Sequence, residues 1–348
     1  VLARPITIGD TDHTVTASIG ISRPELDCDG IDMLIRRADI ALYAAKKNGR
    51  NGFCWFESGM EIELRTRNSL ESDIRTAIPN EEFVPFFEQQ IDLQSGKLAG
   101  FEMLARWVSP MRGLISPDEF IPVAEETGMI ADLSLSIIRK AMLEAKQWDP
   151  SLTLSVNISP VQLKDPWLAQ KIVKLLVETG FPANRLEVEI TESSLFKNLS
   201  LAQSIVASLK NQGIQIALDD FGTGYSSLAH LRALPFDRIK IDRSFVSTMN
   251  ENPESAAIVN AITGLGSSLG VPITAEGIEE QSLVDKLRDL GCTKGQGWYF
   301  GQPMSADNVR DLLAERQLLV ARKSSKLVDT QNKVSESHPD SLGKSAAA

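Results

Sequence analysis

The chain has 348 residues, 43% of them hydrophobic and 24% charged, which is ordinary for one large soluble domain with extra material, or for two domains. A formal net charge of −10 argues against a nucleic-acid polymer as partner, because such binders present a basic face. Cys28, Cys54 and Cys292 form no CxxC pair, so neither a thiolate zinc site nor a disulfide framework is suggested, and a reducing, cytoplasmic setting fits.

The opening, VLARPITIGD, has neither an initiator Met nor a signal-peptide layout and reads as a chain cut from something longer. No apolar run reaches the about 18 residues of a membrane span, so no membrane contact is expected from this segment. Whether the parent chain is anchored upstream is left open. HTVTASIGIS alternates like a strand, and IDMLIRRADIALYAAKKNGRNGF reads as an amphipathic helix ended by the Asn48-Gly49 turn and followed by a short strand. Residues 1–57 are therefore a fragment of a domain, with too few elements to bury a core alone. EIELRTRNSLESDIRTAI has helical spacing and many charges, and residues 58–81 read as a linking helix.

From residue 82 the rhythm changes. FVPFFEQQIDL and KLAGFEMLARW are strand-like and joined by the turn residues Gln94-Ser95-Gly96. A long helical region is expected from Phe120 to Trp148. LTLSVNIS, RLEVEITES, IQIALDDFG, DRIKIDRSF, VPITAEGIE and KGQGWYFGQP then recur as strands, with helix-like runs between them. Such alternation over roughly 240 residues with about eight strands predicts an α/β fold, a modified (β/α)8 TIM-type barrel over residues 82–320, with one antiparallel strand from the opening hairpin. The composition of residues 321–348 is that of a disordered tail.

Side chains alternate across a strand. Leu154, Val156 and Ile158 share one face, as do Leu186, Val188 and Ile190; these would pack under the helices. The opposite phase is polar, and within each strand its charge lies late, at the end where barrel active sites are built. Asn157, Glu189, Asp219, Lys240 and Glu276 would thus converge on one mouth, with Glu102 joining from the hairpin. In LDDFGTGYSSL, two adjacent carboxylates about 4 Å apart repel by roughly 4 kcal/mol at an effective dielectric near 20. Asp220 is out of phase with Asp219 and reaches the same site only if the strand ends there, a freedom that Gly222 and Gly224 would supply. FGTGYSSL is read as a mobile loop beside the site, since it fits neither GxGxxG nor the P-loop pattern.

Glu102, Glu189, Asp219, Asp220 and Glu276 are hard oxygen donors, and Asn157 adds an amide oxygen. His13, His230 and His338 lie outside these strand ends, so the set suits Mg2+ or Mn2+ over zinc. Four or five carboxylates can hold two divalent ions, Asp219 bridging them, in the clamp used for in-line attack on a phosphodiester. Lys240 would orient water or neutralise charge, and Arg106, four residues beyond Glu102, would fork onto a phosphate. A glycosidase pair leaves the lysine and the adjacent aspartates unexplained. Enolase-like proton abstraction is not excluded by composition.

FEMLARW, SVNISPVQL, LEVEITES, ALDDFGTGYSSL, FDRIKIDRSF, ITAEGIEE and KGQGWYFGQP, in that order, resemble the EAL-domain family of cyclic-di-GMP phosphodiesterases. The resemblance implies hydrolysis of cyclic di-GMP to linear pGpG with two Mg2+ or Mn2+ ions per site, Ca2+ being inhibitory. It implies metal ligation by Glu102, Asn157, Glu189, Asp219, Asp220 and Glu276, and catalytic roles for Lys240, Glu102, Glu276 and Glu279. It places substrate against Leu104, Arg106, Asp242 and Gln296. It makes Glu192 a brace for the loop Phe221, Gly222, Thr223, Gly224, near a homodimer interface. The signature reads Glu-Met-Leu here instead of Glu-Ala-Leu, and Met103 should point away from the ions. TASIGIS and ADIALYAAKKNGRNG resemble the C-terminal end of a GGDEF diguanylate cyclase domain; the GGDEF signature is absent, so this piece is not expected to make cyclic di-GMP. The competing class is a binding module, an EAL domain that senses cyclic di-GMP without cutting it. Loss of a metal ligand or of the lysine would favour it, and all are present.

Overall fold

Strand phase organises the architecture. The computed structural model describes residues 6–9, 11–24, 30–195, 199–223 and 234–320. The fragment at the front has an antiparallel pair, β1 (Ile6–Ile8) and β2 (Thr11–His13), and a parallel pair, β3 (Ile19–Ile21) and β4 (Phe53–Trp55). Only Ile19–Ile21 of the run HTVTASIGIS joins a strand with β4. Helix α1 (Ile31–Lys47) lies on β3 so closely that a Cβ on Gly20 would sit 2.0 Å from the Ala38 carbonyl oxygen.

Helix α2 (Ser58–Ala77) ties this fragment to the main sheet. Glu61 pairs with Arg36 of α1 at 2.8 Å, and Arg67 and Tyr43 both reach Glu126, at 2.5 and 3.2 Å. Its last turns are more than a linker: Leu70, Ile74 and Ala77 are buried in the main core.

The main sheet begins with the hairpin β5 (Phe83–Asp92) and β6 (Leu98–Ser109). β7 (Gly113–Ile115) adds to β6. The expected long helix is two, α3 (Pro117–Glu126) and α4 (Ile130–Ala145), separated at Gly128, whose φ of 76° is left-handed and ends a helix readily. Then come β8 (Thr153–Asn157), α5 (Leu168–Thr179), β9 (Leu186–Thr191), α6 (Leu199–Lys210), β10 (Gln215–Phe221), β11 (Arg238–Ile241), α7 (Pro253–Leu269), β12 (Ile273–Ala275), α8 (Gln281–Asp289), β13 (Lys294–Gly295), β14 (Met304–Ser305) and α9 (Ala306–Glu315). KGQGWYFGQP thus contributes only its first two residues to the ladder, because the backbone turns at Gly297 (φ 146°).

Strands β6, β8, β9, β10, β11, β12 and β13 run parallel in that order, and β5 closes the ring antiparallel to both β6 and β13. This is an eight-stranded closed barrel with one reversed strand, and β14 and β7 extend it outside. The outward phase forms the core: Leu154, Val156, Leu186, Val188, Ile190 and Ile216 are fully buried. Met103 is in this core, facing away from Glu102, as its phase requires. Across β5 and β6, Phe87, Phe101 and Trp148 stack edge-on or tilted with centroids 4.8–6.3 Å apart, the geometry that aromatic quadrupoles favour. The inward phase is polar at depth. Ser155 Oγ donates to Glu187 (2.9 Å) and Arg238 Nε to its other oxygen (3.0 Å), while Lys294 reaches Gln90 and Thr153 at 3.3 Å. This buried plug joins five strands and leaves the level above it for another purpose.

Candidate active site

Above the plug sits Lys240, 1% exposed. Its ammonium lies 2.5 Å from Glu189, 2.5 Å from Glu276, 3.2 Å from Glu102 and 3.3 Å from Asp219. β6, β9, β10, β11 and the residue after β12 each deliver one of these groups, because each offers its inward phase at the same height. Asn157, the last residue of β8, donates from Nδ2 to Glu102 Oε1 at 2.6 Å, and Gln296 donates to Glu102 Oε2 at 2.6 Å.

Asp220 arrives by a route different from the one expected. The strand does not end before it. β10 pairs with β11 through a register shift between Leu218 and Phe221, and Asp220 itself adopts φ 55°. A bulge with a left-handed non-glycine residue carries local strain of the kind held at functional sites. It turns the second carboxylate to the side of the first. One oxygen from each of Asp219, Asp220 and Glu276 lies within 4.8 Å of the other two. Gly222, at φ 102°, comes next but one, and Glu192 Oε2 accepts its backbone N–H at 3.2 Å. Thr223 Oγ1 donates back to the Asp220 carbonyl at 2.8 Å. Gly224, and with it most of the predicted loop, lies outside the described residues.

Five carboxylates thus face one ammonium, and the titration behaviour reflects that imbalance. Burial, then the Glu102 charge, holds Glu189 well above the ordinary carboxylate range. Burial also raises Glu276 and Asp219, against the pull of Lys240. Asp220 is pushed up to about 6 by burial and by Asp219. For Glu102 burial is outweighed by Lys240 and by the Gln296 and Asn157 hydrogen bonds, and its acidity increases. Burial would lower Lys240, yet Asp219, Glu102, Glu189 and Glu276 together raise it well above its usual value, so it stays protonated. Glu189 Oε1 is buried with no hydrogen-bond partner among the described residues. A buried carboxyl oxygen of this kind calls for a partner. An all-oxygen donor set with surplus negative charge and an orphaned carboxylate oxygen fits hard divalent ions.

The other expected residues lie around this centre. Glu279 is exposed and lines a mouth cavity of about 150 Å³ with Glu276 and Gln296. Leu104 and Arg106 succeed Glu102 on the inward face of β6, where the Arg106 guanidinium sits 5.5 Å from the Phe86 ring centre. Asp242 caps a short helix, accepting from Ser244 N at 3.0 Å, and its charge bears on Asp220.

Glu88, Arg243 and Trp298 also line the mouth and were missed. Glu88 was findable by phase, since it faces Glu102 directly across the hairpin. Burial and the Glu102 charge push it up to about 7. A raised carboxyl is neutral in the fold at low pH, and its stability contribution is present below the ordinary value and lost as pH rises through about 7. In metal-free protein, Glu88→Gln is expected to gain on the parent by about 1–3 kcal/mol between pH 5 and pH 8, discounted for partial solvation. Urea unfolding at the two pH values reads this; an equal difference at both would refute it.

The comparisons agree with this geometry. Residues 71–303 match the EAL domain and residues 1–52 match the diguanylate cyclase, GGDEF domain. The bifunctional diguanylate cyclase/cyclic di-GMP phosphodiesterase MucR of Pseudomonas aeruginosa is 34% identical over 312 residues, which is 88% of this chain and 46% of that protein. The cyclic di-GMP phosphodiesterase PdeR of Escherichia coli K12 is 36% identical over 309 residues, again 88% of this chain and 46% of that protein. The chain therefore spans under half the length of these curated relatives. A solved structure of the PaMucR phosphodiesterase in complex with c-di-GMP superposes with a TM-score of 0.67 at 33% identity, covering 69% of this chain and 99% of that one. With its matched span extending through every strand of the closed barrel, this chain belongs to the EAL domain family and carries a stretch of GGDEF domain ahead of it.

Proposed function

We propose that this chain hydrolyses cyclic di-GMP to linear pGpG, with two Mg2+ or Mn2+ ions held by Glu102, Asn157, Glu189, Asp219, Asp220 and Glu276. The observation that carries the reading is Lys240 set among carboxylates from separate strands at the barrel mouth. Similarity to MucR and PdeR, named as phosphodiesterases of this dinucleotide, supports the substrate. Ions bound there supply an activated water and charge stabilisation at the leaving oxygen.

The chain's own residues do the rest. Lys240, which the surrounding carboxylates favour in its protonated form, would serve as a hydrogen-bond donor that orients the water. Asn157 and Gln296 clamp the two oxygens of Glu102 and fix its orientation. Glu192 holds Gly222 and so anchors the backbone after Asp220. Arg106, Leu104, Glu279 and Asp242 would meet substrate, and a homodimer through the barrel would bear on the loop after Phe221.

The test is product analysis: the whole chain incubated with cyclic di-GMP and Mg2+ or Mn2+ should release pGpG. Tight binding without product would identify a receptor instead. Replacing Mg2+ by Ca2+ should preserve binding and lower turnover by about a hundredfold or more, because looser Ca2+ geometry activates water poorly. Undiminished cleavage in Ca2+ would refute the two-ion scheme.

A further inference from the structure

A cavity of about 270 Å³ lies on the other side of β5 from the mouth. Its origin is topological. In a regular barrel each strand leads into a helix that covers it. β5 leads instead into a hairpin, so no helix of its own roofs its outer face around Gln89, Ile91 and Leu93. The gap is bordered by α8, by the Tyr299-Phe300 turn and by Arg316 just beyond α9.

The lining is not that of a packing defect. Arg288 is fixed by donation from Nε to the Leu93 carbonyl at 2.6 Å and from Nη1 to Asp285 at 3.1 Å, which presents the remaining edge of its guanidinium in one orientation. Arg316, exposed, supplies a second guanidinium. The single carboxylate lining the cavity, Asp92, is engaged by Ser95 N and Oγ at 2.7 and 2.6 Å. Tyr299 offers a partly exposed ring, set edge-on to Phe300 at 5.2 Å. Gln89 is 5% exposed; its amide is oriented by donation from Nε2 to the Phe300 carbonyl at 2.8 Å. Its Oε1 is left without a partner among the described residues. A buried amide oxygen without a donor is unfavourable and would be satisfied by a ligand N–H.

We propose that this cavity is a second binding site, for a flat anion of the nucleoside monophosphate class. The guanidiniums of Arg288 and Arg316 take the phosphate. The Tyr299 ring stacks the base, and Gln89 Oε1 accepts from a ring or amino N–H of the base. The cavity and the mouth share the turn after β13, Trp298 lining one and Tyr299 the other.

The site is tested by equilibrium binding of GMP, AMP and inorganic phosphate to the full chain, which does not depend on whether the mouth turns over a substrate. A nucleotide should saturate below about 1 mM, with inorganic phosphate at least about tenfold weaker. Arg316→Glu, an exposed substitution whose melting midpoint should match the parent, should weaken the nucleotide by about tenfold or more. Glu276→Ala, which alters the mouth, should leave it unchanged. The proposal is overturned by absence of saturation at about 10 mM, by phosphate binding as well as nucleotide, by indifference to Arg316→Glu, or by loss of binding in Glu276→Ala.

Discussion

Glu102→Ala is expected to lower pGpG formation by about a thousandfold, equivalent to roughly 4 kcal/mol of transition-state stabilisation. The side chain is where three hydrogen bonds meet: Asn157 on one oxygen, and Gln296 and Lys240 on the other. Truncation removes a proposed metal ligand and also releases Asn157 and Gln296 from their geometry. The neighbouring Met103 is the control. It lies one residue away but faces the core, 5% exposed. Met103→Ala should lower stability by about 2–4 kcal/mol through the cavity it leaves. Turnover per folded molecule should stay close to the parent's. Steady-state rates corrected for folded fraction separate the two. If Glu102→Ala retains a substantial share of activity, or Met103→Ala loses as much, the assignment by strand phase fails.

Strand phase was the legible part, and its success has a physical cause. A barrel interior cannot be apolar at the mouth and still hold ions, so alternation of Leu186, Val188 and Ile190 with Glu187 and Glu189 leaves one solution for which face turns inward. The same rule missed Glu88, because charge was sought late in each strand. In parallel strands the mouth lies toward the C-terminal end; in the reversed β5 it lies toward the N-terminal end, so mid-strand Glu88 faces the mouth while Gln90, two residues later, is down in the plug. Asp220 was illegible for another reason. Adjacency to Asp219 shows that both reach one site, but the bulge that brings them there is a register shift between β10 and β11, a property of two segments pairing. The division of the 120–148 region into two helices turns on Gly128, which occupies a left-handed conformation that composition permits without demanding. Arg288 and Gln89 carry no motif at all: their cavity exists because one strand runs backwards.

Removing the central cation should show how much of the fold's stability this charge arrangement puts at stake. In metal-free protein near pH 7.5, Lys240→Met is expected to lose about 3–5 kcal/mol, the penalty for leaving buried carboxylates without their partner. The lysine stem is 1% exposed, so methionine of similar length fills its space and the loss is electrostatic. An electrostatic loss depends on pH and on ions. Glu189, Glu276 and Asp219 already lie above the ordinary carboxylate range, so they become neutral as pH falls, and the loss should shrink at pH 5. Mg2+ or Mn2+ should restore part of the stability, since divalent charge replaces the missing ammonium, while turnover stays depressed by about a thousandfold because no ion supplies a fixed donor at that position. Pairing the change with Glu189→Gln gives a cycle: the double variant should be more stable than the sum of the single losses predicts, since each removes the other's unpaired charge. Urea unfolding across pH, with and without ion, measures all of these. A Lys240→Met loss that is the same at pH 5 and 7.5, indifferent to divalent ions and additive with Glu189→Gln would mean that the lysine acts through packing alone, and the case for an ion-binding mouth would lose its main support.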